Sequence, residues 1–107
     1  MVMTVLEARV APEQWAALEQ AYRAGIRQLE PGMTRTFLVH NVADSTLWRI
    51  MTVWSSRQAL DAMRRSTETP RGVLMFRAAG AEPALSVFEV VADVVADAAA
   101  DAAAGQG

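Results

Sequence analysis

One histidine, His40, is the only side chain in this 107-residue chain whose ordinary titration range spans neutral pH. Three tryptophans (Trp15, Trp48 and Trp54) and one tyrosine, Tyr22, are the other side chains that combine bulk with a polar atom. A lone imidazole suits a proton-transfer step. The chain has no cysteine, which removes disulfides, thiolate metal sites and cysteine nucleophiles together. With one histidine and no acids clustered at ligand spacing, it offers no metal site. All ten basic residues are arginine, and the net charge of −2 is spread with the two signs interspersed. No basic stripe exists to track a phosphate backbone, so nucleic-acid binding is not expected. The first residues lack the basic start of a signal peptide, and no apolar run reaches the length of a membrane span, so a cytoplasmic location is expected.

These side chains must be positioned by the elements that carry them. Residues 3–10 alternate apolar and charged and read as a strand. Ala11-Pro12-Glu13 opens a helix in which Trp15, Leu18, Tyr22, Ile26 and Leu29 form one apolar stripe, and Glu30-Pro31-Gly32 stops it. Strands follow at 33–41 and 46–54, joined by the polar turn Asn41-Val42-Ala43-Asp44-Ser45 as a hairpin. Ser55-Ser56-Arg57-Gln58 fits a capping box for a second helix that buries Leu60 and Met63. Thr69-Pro70 starts a short third helix that ends at Gly80, and 85–91 reads as the last strand. This order is a single ferredoxin-like α+β domain, βαββαβ with an extra short helix and a four-stranded antiparallel sheet, over residues 1–91. Residues 92–107 form an alanine- and aspartate-rich tail, expected to be part helical, with Asp93, Asp97 and Asp101 at four-residue spacing.

Alternation assigns each strand two faces. The uncharged set of Leu6, Ala8, Thr36, Leu38, His40, Trp48, Ile50, Thr52 and Trp54, continued by Ser86, Phe88 and Val90, is expected to face the helices. The other set mixes Glu7, Arg9, Arg35 and Arg49 with Phe37, Met51, Val53 and Val87. That surface is too apolar for solvent and too charged for a core, so it is expected to meet a second copy of the sheet in a homodimer that includes Phe37, Met51 and Val87.

Two segments carry a family resemblance: Leu29-Glu30-Pro31-Gly32 and, more specifically, Thr52-Val53-Trp54-Ser55-Ser56-Arg57-Gln58-Ala59-Leu60. With the order of elements over residues 3–91, the sequence resembles the antibiotic biosynthesis monooxygenase-type family of dimeric α/β barrels. The resemblance implies that fold, and members of the family range from oxygenases to haem-degrading enzymes and proteins without known activity. The three polar positions of the haem-degrading branch fall near Ala8, Met63 and Val73, which are apolar, so no haem and no other cofactor is expected. The branch similar to cofactor-independent anthrone monooxygenases sets a histidine at the end of the second strand and a tryptophan at the end of the third. His40 and Trp54 match these places and are the catalytic residues the resemblance implies. A further polar position of that branch is Ile50 here, and a tyrosine is replaced by Leu60.

Such chemistry needs an apolar pocket for a flat aromatic substrate, with water excluded. Trp48, Ile50 and Phe88 would line the pocket from the sheet, and Trp15, Tyr22 and Phe76 would close it from the helices. The alternative is a non-catalytic dimer of the same fold that binds a small apolar ligand or serves a structural role. The residues admit both: Trp54 also suits a structural plug between strand and helix, and His40 an exposed strand end. A pocket holding His40 would favour the enzyme, and a solidly filled interface the structural role.

Overall fold

A computed structural model describes residues 1–67 and 69–96 of the chain. The strands are β1 (Val2–Arg9), β2 (Met33–His40), β3 (Leu47–Trp54) and β4 (Ala84–Glu89). The helices are α1 (Trp15–Gly25), α2 (Arg57–Ser66) and α3 (Arg71–Ala78), and a 3-10 turn at Pro12–Gln14 leads into α1. The strands form one antiparallel sheet in the order β2-β3-β1-β4, the ferredoxin-like arrangement. No helix among the described residues is long and apolar enough to cross a membrane.

Local chemistry explains most boundaries, with small departures from the sequence reading. α1 ends at Gly25 rather than running on to Leu29, which is about half exposed. The end of the Met75 side chain of α3 occupies the space that a Cβ on Gly25 would take. The cap of α2 is Ser56, not Ser55: its Oγ accepts from the Ala59 amide at 3.1 Å. Gly32 takes a φ of 90° in the turn that leads into β2, and Gly80 a φ of 71° just past the end of α3. In the β2–β3 turn, Asn41 Oδ1 accepts from the amides of Ala43 and Asp44, both at 2.8 Å, which replaces ladder bonds that the turn cannot make. The tail carries no helix at residues 92–96. The rest of the helical expectation, including Asp97 and Asp101, lies outside the described residues.

The register fixes the faces. Leu6 lies opposite Ile50 and Ile50 opposite Leu38, while Ala8, Trp48 and His40 stand in one row, as alternation predicts for β1, β2 and β3. The fourth strand is the exception. Leu85 pairs with Leu6 and Val87 with Thr4, so these two share the helix side, whereas Phe88 pairs with Met3 on the outer face. Phe88 therefore does not line a pocket beneath the helices, and Val87 does not belong to the outer surface. In Leu85-Ser86-Val87-Phe88-Glu89 both phases hold apolar residues, so alternation could not choose between them.

Helix-facing side chains pack into two clusters. The larger joins Leu6, Ala8, Val10 and Ile50 to Leu18, Tyr22, Met75 and Phe76. The smaller joins Val2 and Trp54 to Leu60 and Met63 of α2. Phe76, Leu18, Leu60 and Val10 are fully buried, and large side chains of this kind contribute about 1.5–3 kcal/mol each relative to exposure.

Candidate functional site

Between the two clusters the packing is incomplete. A cavity of about 90 Å³ lies between the sheet and the three helices. Its floor is Leu6, Ile50, Thr52 and Trp54, and its roof is formed by Tyr22 and Gly25 of α1, Leu60 and Met63 of α2, and Gly72 and Met75 of α3. Glu30, Arg64 and Arg71 stand on the side that opens to solvent. The enclosed part is smaller than the roughly 150 Å³ that holds a benzene. A polycyclic ligand must therefore extend through the mouth or displace Met33, Met63 and Met75, whose unbranched side chains rearrange readily.

The walls are apolar except for two sets of groups. Inside, the Tyr22 hydroxyl donates to Thr36 Oγ1 at 3.4 Å, and one of the Thr36 and Thr52 hydroxyls donates to the other, also at 3.4 Å. At the mouth, Arg71 Nε lies 3.2 Å from a Glu30 carboxylate oxygen, and its Nη1 donates to the Gln28 carbonyl. This arginine ties the start of α3 to the segment before β2. Among the described residues, Glu30 is the only carboxylate on the cavity wall.

Trp54 is 3% exposed and lines the cavity, with its indole Nε1 donating to Thr4 Oγ1 at 3.1 Å. The β3 end thus brings one edge of the indole to a strand hydroxyl and leaves its apolar surface to the ligand space. Tyr22 and Ile50 line the same cavity. Phe76 is fully buried in the larger core cluster and does not reach the cavity wall.

His40 is elsewhere. It pairs with Trp48, six residues from Trp54 along β3, which at strand rise is about 20 Å. Its ring stacks on Trp48 with centroids 3.9 Å apart and meets the edge of Trp15 at 4.8 Å. Its Nε2–H donates to the Ser45 carbonyl in the β2–β3 turn. Trp15 Nε1 donates to the Val10 carbonyl at 2.9 Å, while Trp48 Nε1 is buried without a partner. Trp15, His40 and Trp48 thus form an aromatic cluster at the far end of the sheet. The structure does not join His40 and Trp54 in one site, because the strand that carries both rows is too long.

Sequence reasoning missed the hydroxyls of Thr4, Thr36 and Thr52, the Glu30–Arg71 pair and Gly72. Signals for some of them existed: Thr36 and Thr52 fall in the helix-facing phase, and a glycine inside a helix marks close approach. A Cβ on Gly72 would stand 2.5 Å from Leu6 Cδ1.

Known proteins place this architecture. Of the solved structures similar to it, a Deinococcus radiodurans protein provisionally named an antibiotic biosynthesis monooxygenase superposes with a TM-score of 0.67 at 14% identity, covering 91% of this chain and 99% of that one. SnoaB from Streptomyces nogalater, described as a cofactor-independent oxygenase, gives a TM-score of 0.65 at 18% identity for a variant form, covering 87% and 95%. A conserved protein from Methanosarcina mazei gives 0.65 at 14% identity, covering 81% and 89%. At such identities the likeness concerns the fold. Among curated proteins none matches the sequence. The profile of the antibiotic biosynthesis monooxygenase family matches residues 1–73, from β1 into the start of α3, and so spans both resembling segments and most of the cavity wall. The chain belongs to the antibiotic biosynthesis monooxygenase family.

Proposed function

We propose that the protein is a cofactor-independent monooxygenase acting on a small aromatic ketone or quinol of anthrone type, bound in the cavity beside Trp54. The observation that carries this reading is the cavity itself: apolar walls from both core clusters, hydroxyls inside and one carboxylate at the mouth. An anthrone loses a ring C–H proton to give an electron-rich anion with its charge on the ketone oxygen. One electron passes from the anion to dioxygen, the two radicals combine at the ring carbon, and the peroxide loses water to leave a quinone. Overall, anthrone and O₂ give anthraquinone and H₂O, with all four electrons supplied by the substrate. Glu30 is the proton acceptor at the mouth, directly or through a water. Trp54, Leu6 and Ile50 hold the flat ring system and keep water from the anion.

Two features favour a second reading, a non-catalytic binder of small aromatic ligands. Glu30 is engaged by Arg71, and His40 lies outside the cavity. Oxygen uptake separates the two. With an anthrone and no added metal, flavin or nicotinamide, the enzyme reading expects one O₂ consumed per quinone formed, well above the buffer rate. Saturable binding without uptake would leave the binder, and neither binding nor uptake would remove both.

The same reading includes a homodimer through the outer sheet face, now with Phe37, Met51 and Phe88 as its apolar contacts. Phe37 and Phe88 are 36% and 52% exposed in the single chain, which supports a covering partner.

A further inference from the structure

We infer that Tyr22, Thr36 and Thr52 form an oxyanion site, in which the Tyr22 hydroxyl donates to the ketone or phenol oxygen of the bound ligand. The inference rests on the cavity reading above and specifies which end of the ligand goes inside.

Tyr22 is 9% exposed and Thr52 6%, so their hydroxyls sit behind apolar walls. Their mutual bonds are poor. Both O···O separations are 3.4 Å, well beyond the usual 2.7–2.8 Å for hydroxyl pairs. Buried hydroxyls held this loosely are short of good partners, and all three lie on the cavity wall. An oxygen placed among them would take short bonds from Tyr22 and Thr36, with Thr52 supporting Thr36. The charge that develops on a ligand oxygen when a proton leaves would fall among these hydroxyls, which can turn from their long mutual bonds to donate to it. The cationic side chains of the wall, Arg64 and Arg71, are at the mouth, so the anion inside is stabilised by hydroxyls rather than by an ion pair. In the anthrone reaction the C–H bond breaks, its proton goes to the mouth, and its electron pair delocalises onto this oxygen.

The probe is 1-naphthol, a phenol that cannot follow the anthrone reaction and whose absorbance reports its ionisation. It is titrated with pH on the saturated wild type, on Tyr22→Phe and on Thr36→Val, with thermal melts to establish folding. A hydrogen bond to a charged group contributes about 1.5–3 kcal/mol, so Tyr22→Phe should raise the pKa of bound naphthol by about 1–2 units. Thr36→Val should raise it by a smaller amount. An unchanged pKa in both folded variants would overturn the oxyanion site while leaving the cavity as the binding place. If Tyr22→Phe does not fold, an unchanged pKa in Thr36→Val alone overturns it. Failure of naphthol to bind the wild type would overturn the cavity reading and the oxyanion site with it.

Discussion

Gly72 marks how little space separates α3 from the sheet. A Cβ at Gly72 would stand 2.5 Å from Leu6 Cδ1, so Gly72→Ala must displace the Leu6 side chain, which lines the cavity. Overpacking costs about 1–3 kcal/mol and replacing a helical glycine by alanine returns up to about 1 kcal/mol, so the net loss of stability should be small. The affinity for an aromatic ligand should fall by a larger factor, about tenfold. Thermal melts beside a naphthol titration check the contrast, and a variant that binds as well as wild type would move the ligand away from Leu6. His40→Ala should behave oppositely. It removes an aromatic stack worth about 0.5–1.5 kcal/mol and the tie to Ser45, and should lower the melting temperature while naphthol affinity stays within twofold. At this scale the sequence disclosed residue types better than their companions. Trp54, Tyr22 and Ile50 were legible as wall residues because their phases on strand and helix are unambiguous. His40 has an equally clear phase, but phase says which face a residue occupies and not how far along the strand its partners lie.

Elements show the same division. The alternation of β1, β2 and β3 is strong because charges fall on one side only, and those faces were readable. β4 is an edge strand with apolar residues in both phases, and its orientation is decided by pairing with β1, which no local pattern contains. The cap of α2 was legible to within one residue, Ser56 in place of Ser55, whereas α1 stops at Gly25, several residues before the Glu30-Pro31-Gly32 breaker. Ser56→Ala should cost about 1 kcal/mol by freeing the Ala59 amide, read as a shift in the denaturant midpoint. The β2–β3 turn has an acid-sensitive tie. The Arg9 guanidinium, 2.7 Å from Asp44, together with Thr46 holds the Asp44 carboxyl below its usual 3.8 despite some desolvation. A pKa lowered by folding gives stability that is present above 3.8 and lost as pH falls through the folded value. The stability gap between wild type and Asp44→Asn should therefore close as the pH is taken below 3.8, and a gap independent of pH would show that the pair contributes nothing.

For the whole molecule, the outer sheet face and the cavity are the two surfaces that the single chain leaves unfinished. On the outer face Glu7 and Arg49 pair at 3.4 Å, so these charges can be covered as a neutral unit between the apolar residues. Sedimentation at micromolar concentration should give about twice the 11.6 kDa chain mass, and Phe37→Glu should reduce it to one chain. A wild-type monomer would remove the barrel. The antiparallel α+β architecture was legible in its class and element order, because most elements carry their own periodicity. The cavity was not, since it arises where two core clusters fail to meet, and that gap depends on how α2 and α3 settle on the sheet. The proposed function requires the ligand to occupy this gap at the Trp54 end. An amide NMR titration with 1-naphthol tests it most directly. The largest shifts should fall at Tyr22, Thr52 and Gly72, with His40 and Trp48 unmoved. Shifts gathered at His40, Trp15 and Trp48, or no shifts at saturating ligand, would contradict it.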